Sequence, residues 1–140
     1  MNVSDIDLLS AAISSGANES RFDLTNDTVV NRDDLVDLVT SQMGTWIGDA
    51  NLDGEFNSSD MISVFSAGKY ESGQTATWTE GDWNGDTTFD SADLIAAFSD
   101  GGYELGPRQA VSSVPEPSLG LWGIFAALVC VIGSRRHRLA

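Results

Sequence analysis

The sequence predicts a mainly α protein built from repeated loop–helix units, followed by a single C-terminal transmembrane helix. Three observations carry this reading. A twelve-residue run with side-chain oxygens at alternating positions recurs along the chain. Each run passes directly into a short stretch whose apolar residues recur every three to four positions, the spacing of one helix face. The chain then ends on a charge-free apolar run closed by arginines.

In chain order, the helical stretches follow Asp5, Asp34, Asp60 and Asp93. Their apolar pairs are Ile6 and Leu9, Leu35 and Leu38, Met61 and Val64, and Leu94 and Ala97. Gly44, Gly68 and Gly101 are the expected stops, because glycine takes the left-handed conformation that ends helices. The last two units are duplicates: residues 49–71 and 82–104 are identical at 12 of 23 positions. The match includes Phe56/Phe89, Phe65/Phe98, Gly68/Gly101 and Tyr70/Tyr103, so a whole structural unit is repeated. A third copy covers residues 23–34. A fourth is cut by the chain start, with Met1, Asn2 and Asp5 at its eighth, ninth and twelfth positions.

Each loop has the composition of a Ca²⁺ site. Calcium takes six to eight oxygens, and a tight loop can aim alternate side chains at one point. The first-, third- and fifth-position ligands are Asp49, Asn51 and Asp53, then Asp82, Asn84 and Asp86, then Asp23, Thr25 and Asp27. The seventh-position backbone carbonyls belong to Glu55, Thr88 and Val29, the ninth-position groups to Asn57, Asp90 and Asn31. Asp60, Asp93 and Asp34 close the shells at position 12. Helix caps and ordinary turns also favour aspartate and asparagine. That account covers positions 9 and 12 but not the 1, 3, 5 alternation in three copies. Position 6 must turn with positive φ, and it is Gly54 in one loop but Thr28 and Thr87 in the others. Loop 49–60 is therefore expected to bind most tightly, and Gly85 is expected to let loop 82–93 turn differently.

The run Asp49-Ala-Asn-Leu-Asp-Gly-Glu-Phe-Asn-Ser-Ser-Asp-Met-Ile resembles a type I dockerin repeat, an EF-hand-like calcium loop without the incoming helix. The resemblance implies two antiparallel loop–helix units that bind a cohesin-like protein partner. It covers residues 1–104, strongly over 49–104. It implies partner contacts at positions 10 and 11, here Ser58 and Ser59, and Ser91 and Ala92; the Arg32-Asp33 pair departs from that pattern. The expected organisation is degenerate repeats over 1–44 and the calcium-loop pair over 45–106. Val30, Phe56 and Phe89 at position 8 are expected to bridge paired loops; Trp46, Trp78 and Trp83, near the loop entrances, read as packing residues, with exposed partner anchors as the alternative. Residues 72–79 read as a linker.

Charge divides the chain. Residues 1–106 hold 20 acidic and 3 basic side chains, a balance of −17, within a total of −14. Such a surface cannot neutralise phosphates, which excludes nucleic-acid binding. Carboxylate repulsion predicts that folding is coupled to metal binding.

Residues 107–118 form a linker containing Pro115, Glu116 and Pro117, and residues 119–140 an apolar run with an arginine-rich end that includes Arg135 and Arg136. The fifteen apolar residues 119–133 would cover about 22 Å as a helix, somewhat less than a hydrocarbon core of about 30 Å. The order Pro-Glu-Pro, apolar run, arginine cluster resembles the PEP-CTERM sorting signal of bacteria. That resemblance implies recognition by an exosortase-type enzyme and delivery to the envelope or cell surface. Met1 is followed by no basic and apolar leader, so the chain is expected to be the C-terminal end of a longer exported protein. Cys130 has no partner cysteine and reads as an apolar filler.

The expected function is a calcium-binding, dockerin-like interaction module. The alternative is the C-terminal part of a secreted polysaccharide-degrading hydrolase whose catalytic domain lies outside these residues. No catalytic constellation is visible: the single histidine is His137, and the paired carboxylates are assigned to metal loops. A calmodulin-like sensor would need incoming helices, position-12 glutamate and a methionine-rich groove.

Overall fold

The computed structural model describes residues 1–109, all within one compact unit. Among them are four α-helices and no strands: α1 (Val3–Ser15), α2 (Arg32–Val36), α3 (Ser58–Ser66) and α4 (Ser91–Asp100). The expected mainly α architecture is found. A π-helical turn, Asp37–Gln42, continues α2, and a 3₁₀ turn occupies Trp78–Glu80. The expected apolar helix 119–133, with Pro115, Glu116, Pro117, Arg135 and Arg136, lies outside the described residues. Among the described residues no helix is long and apolar enough to cross a membrane.

Each helix starts in the same way, for a local reason. The first N–H groups of a helix lack intrahelical partners. Asn2, Asn31, Asn57 and Asp90 accept from the N–H two residues on, while Asp5, Asp34, Asp60 and Asp93 reach back to the cap N–H. These reciprocal pairs are capping boxes. Helix ends follow the expected glycines. Gly101 caps α4 at φ 80°, Gly68 follows α3 at φ 70°, and Gly44 follows the π-helical turn at φ 71°.

Helix faces bury the expected apolar residues, Ile6, Leu9, Leu35, Leu38, Val64 and Ala97. Around them lie Phe56, Phe89, Trp78 and Trp83, all with essentially no exposed surface. The two long repeats dock reciprocally. Phe56 packs edge-on against Tyr103 and also against Phe98, both from the later unit. Phe89 packs in the same way against Tyr70 and Phe65 of the earlier one. The backbone repeats the exchange: Glu104 N–H donates to the Phe56 carbonyl at 2.8 Å, and Glu71 N–H to the Phe89 carbonyl at 2.9 Å.

This corrects the expected loop-to-loop bridge. Phe56 forms its isolated bridge with Tyr103, the tail of the partner unit, and not with Phe89. The physical reason is aromatic packing: the Phe56 ring sits 5.6 Å from Phe98 in α4 and 5.2 Å from Tyr103 just after it. The linker reading of 72–79 is also corrected. Ala76 and Trp78 are buried, Ala76 N–H donates to the Thr87 carbonyl, and the Trp78 indole N–H donates to the Asp49 carbonyl at 2.7 Å. A tryptophan that finds both a cavity and an acceptor is drawn into the core despite polar neighbours. Trp46 is half-buried: its indole N–H donates to the Gly106 carbonyl and Arg108 lies over its ring at 4.3 Å. Arg108 also pairs with Asp100 through two N–H···O contacts of 2.7 and 2.9 Å, strapping the segment after α4 to the body.

Three glycines are needed for close approach: Gly102, where a Cβ would run into the Trp46 ring, and the equivalent pair Gly48 and Gly81. A Cβ on Gly48 would meet the Phe56 ring at 2.6 Å, and one on Gly81 the Phe89 ring at 2.5 Å, both at φ above 100°. Gly81→Ala is expected to lower stability by about 3 kcal/mol, from overpacking plus an unfavourable φ. Gly68→Ala, with open space around it, is expected to lose only about 1 kcal/mol. Urea denaturation of the two variants checks the difference.

Candidate metal centre

The three loops share one internal hydrogen-bond plan, built around the twelfth residue. Asp60 Oδ1 accepts the N–H groups of Ala50 and Asn51, and its Oδ2 that of Asn57. Asp93 repeats this with Trp83, Asn84 and Asp90 at 2.9, 3.0 and 2.8 Å. Asp34 repeats it with Leu24, Thr25 and Asn31 at 2.7, 3.0 and 2.8 Å. All three carboxylates are fully buried. Each therefore ties the loop's start to its end while capping the following helix.

The first residue organises the turn. Asp49 accepts from Asp53 N–H at 3.2 Å, Gly54 N–H at 2.8 Å and the Thr45 hydroxyl. Asp23 accepts from Asp27 and Thr28 N–H at 3.1 and 2.9 Å, and Asp82 from Gly85 N–H at 2.9 Å. Positions 3 and 5 make two-residue side-chain turns: Asn51 and Asn84 accept from Asp53 and Asp86 N–H, while Asp27, Asp53 and Asp86 accept from Val29, Glu55 and Thr88 N–H. Thr25 donates its hydroxyl to Asp34 at 3.2 Å. At position 9, Asn31, Asn57 and Asp90 serve as helix caps.

The backbone takes positive φ at the same two places in every loop. Position 6 is left-handed as expected, with Thr28 at 75°, Gly54 at 96° and Thr87 at 69°. Position 4 is left-handed as well: Asn26 at 60°, Leu52 at 57° and Gly85 at 85°. Loop 82–93 therefore keeps the same pattern of positive φ, but differs in that Asp82 takes the N–H of position 4 where Asp49 and Asp23 take those of positions 5 and 6. Gly85 relieves position 4, while Thr87 carries the strain at position 6, on the order of 1–2 kcal/mol.

The electrostatics follow from placing acids side by side. Burial pushes the Asp82 carboxyl up to about 7, with the Asp93 and Asp86 charges adding to it against the Gly85 N–H. Burial likewise raises Asp93 to about 6 despite its three N–H donors. Asp49 is raised, first by burial and then by the Asp60 and Asp53 charges. At Asp34 burial also pushes upward, but the N–H groups of Asn31, Thr25 and Leu24 outweigh it and hold the carboxyl below its ordinary value.

Among the described residues no three His, Cys, Asp or Glu side chains converge as a ready-made metal cluster. The donors that the loops offer are mixed: asparagine and threonine oxygens, backbone carbonyls, and carboxylates gathered by N–H groups. Within the described residues no hydrogen bond ends on the Val29, Glu55 or Thr88 carbonyl. Acids raised by burial, and further by neighbouring carboxylates, next to free carbonyls suit a hard divalent cation.

Sequence reasoning missed Gly48, Gly81 and Thr45, and also position 4. Aligning the duplicated units one residue further back would have found the glycine pair. The Thr45 contact has no counterpart in the repeat and no signal in the chain.

Fold and loops together define a mainly helical protein whose loop–helix units share one hydrogen-bond plan. Compared with known proteins, the chain matches no family model, no curated protein and no solved structure.

Proposed function

We propose that residues 1–106 form a calcium-stabilised protein-interaction module of the dockerin-like, EF-hand-like type. The observation that carries this reading is the shared loop plan: a buried acid at position 12 of all three twelve-residue loops, a buried acid at position 1 of loops 49–60 and 82–93, and side-chain oxygens at 3 and 5. Asp49, Asn51, Asp53, the Glu55 carbonyl, Asn57 and Asp60 would hold calcium in one loop. Asp82, Asn84, Asp86, the Thr88 carbonyl, Asp90 and Asp93 would do so in another. Asp23, Thr25, Asp27, the Val29 carbonyl, Asn31 and Asp34 form the third set. Bound calcium would supply positive charge that offsets carboxylate repulsion.

An interaction role is supported by the surfaces of α3 and α4. Ser58, Ser59, Ser91 and Ala92 are exposed at the helix starts. Ile62 and Ile95, equivalent in the two units, are each 67% exposed, and Phe65 and Phe98 remain about half-exposed. Equivalent apolar side chains left open on two helices suit a protein partner of cohesin-like kind. In this proposal the C-terminal segment supplies export by an exosortase-type enzyme and placement at the bacterial envelope, with residues 119–133 meeting the membrane. The C-terminal part of a polysaccharide-degrading hydrolase remains the second reading, and a catalytic domain encoded upstream of Met1 would favour it.

Calorimetric titration tests the metal. Calcium is expected to bind the wild-type chain, and Asp49→Ala is expected to remove its tightest site, because the one strained non-glycine residue of loop 49–60, Leu52, is not β-branched, unlike Thr28 and Thr87 in the other loops. Equal losses for Asp23→Ala, Asp49→Ala and Asp82→Ala would overturn that ranking. No heat and no retained calcium at millimolar supply would overturn the metal reading itself.

A further inference from the structure

Loop 82–93 is set apart from loop 49–60 by what covers it. The space that a side chain at Gly85 would fill is taken by Leu35 Cδ2 at 3.1 Å and Ile13 Cδ1 at 3.3 Å, with Ser10 Oγ at 3.8 Å. The Ser14 hydroxyl reaches the Asp86 carbonyl and the Thr87 hydroxyl, both at 3.4 Å. Just before the loop, Trp78 N–H donates to the Asp7 carboxylate at 2.9 Å. About two turns of α1 thus contribute Asp7, Ser10, Ile13 and Ser14 to one seam along the loop. Ser10 Oγ is buried there without a hydrogen-bond partner among the described residues, so polarity in the seam is not fully satisfied. The equivalent fourth position of loop 49–60 is Leu52, half-buried, and among the described residues no side-chain hydrogen bond joins α1 to that loop.

We propose that α1 is a positioning element for loop 82–93, so that a docked α1 and a cation in that loop stabilise each other. This rests on the calcium reading above. Ser14 holds the segment Asp86–Thr87, where Thr87 keeps its unfavourable φ of 69°. Ile13 and Leu35 pack against the left-handed turn at Gly85. A loop held in its turned form has less ordering left to do when it closes on an ion. By reciprocity, an ion that holds the turn also holds the surface on which α1 rests. The N-terminal helix would therefore report on, and tune, one particular loop.

Hydrogen exchange of α1 amides in the full chain, with calcium and with chelator, tests the coupling. Chelation is expected to speed exchange across Val3–Ser15 by about tenfold or more. Asp82→Ala should do the same with calcium present, whereas Asp49→Ala should leave α1 protected. Conversely, Asp7→Ala/Ser14→Ala in an Asp23→Ala/Asp49→Ala background should weaken calcium binding to the remaining loop about fivefold or more in calorimetry. The same α1 pair placed over an intact loop 49–60, with Asp82→Ala and Asp23→Ala, should leave affinity unchanged. Calcium bound with no change in α1 exchange, or equal loosening by Asp49→Ala and Asp82→Ala, would overturn the coupling while leaving the metal reading intact. A chain that retains no calcium overturns both.

Discussion

Asp93→Ala is expected to be the most damaging single substitution in the chain, lowering metal-free stability by about 3–5 kcal/mol. The carboxylate is fully buried and accepts from three backbone N–H groups, those of Trp83, Asn84 and Asp90. Leaving the buried Trp83 N–H unsatisfied costs about 1–3 kcal/mol, and the part-buried N–H groups of Asn84 and Asp90, the latter the capping-box contact of α4, add roughly 1 kcal/mol each. Against a total near 5–15 kcal/mol for a domain, that approaches global unfolding. Asp93→Asn keeps the oxygen that serves Trp83 and Asn84, so its loss should be near 1–2 kcal/mol. Calcium should then fail to restore Asp93→Asn to wild-type stability, which separates the structural role of the residue from its proposed ligand role. Urea denaturation of both variants, with calcium and with chelator, measures this.

The second large effect is a reversal of pH dependence by calcium. Without metal, Asp82 titrates near 7 and Asp93 near 6 in the folded chain, and Asp49 is raised too. In the unfolded chain each titrates near 3.9. Between these values the folded state holds more protons, so stability falls as pH rises. The contribution is fully present below about pH 4 and is lost as pH passes through the folded values near 6 and 7. For Asp82 alone the swing is on the order of 4 kcal/mol, about 3 units at ~1.4 kcal/mol per unit. Asp34, held low, runs the other way and loses its contribution only as pH falls below its unfolded value. Metal-free protein should therefore melt at lower temperature at pH 8 than at pH 4.5. Calcium needs the same carboxylates ionised, so its stabilisation should grow over that range and invert the order. Thermal melts at the two pH values, each with calcium and with chelator, give four numbers; parallel shifts with and without calcium would contradict the linkage.

Much of this was legible because it is local. A cap such as Asn57 with Asp60 depends only on residues three apart, and so does the left-handed turn at position 6. Apolar spacing such as Leu35 and Leu38 marks a buried face wherever the helix is placed. Other features depended on partners far along the chain. Nothing near Phe56 in sequence says that Tyr103 and Glu104 will close over it, and nothing near Trp78 points to the Asp49 carbonyl as acceptor. Residues 72–79 look like a linker because their neighbours are polar, yet a large indole with a matching cavity overrides composition. Gly85 looked like a different turn, but all three loops share one φ pattern, and the position-12 carboxylate gathers the N–H groups of positions 2, 3 and 9 in each.

By itself the sequence determined the loop–helix repeat, the helix starts and stops, and the acidic oxygens available to a cation, since each arises from contacts within about a dozen residues. Only the tertiary structure decided which unit's aromatics cover which loop, and that α1 lies along loop 82–93. Those pairings are settled by the fit of side chains 19 to 72 residues apart, and such fit depends on volume and shape that no local pattern encodes.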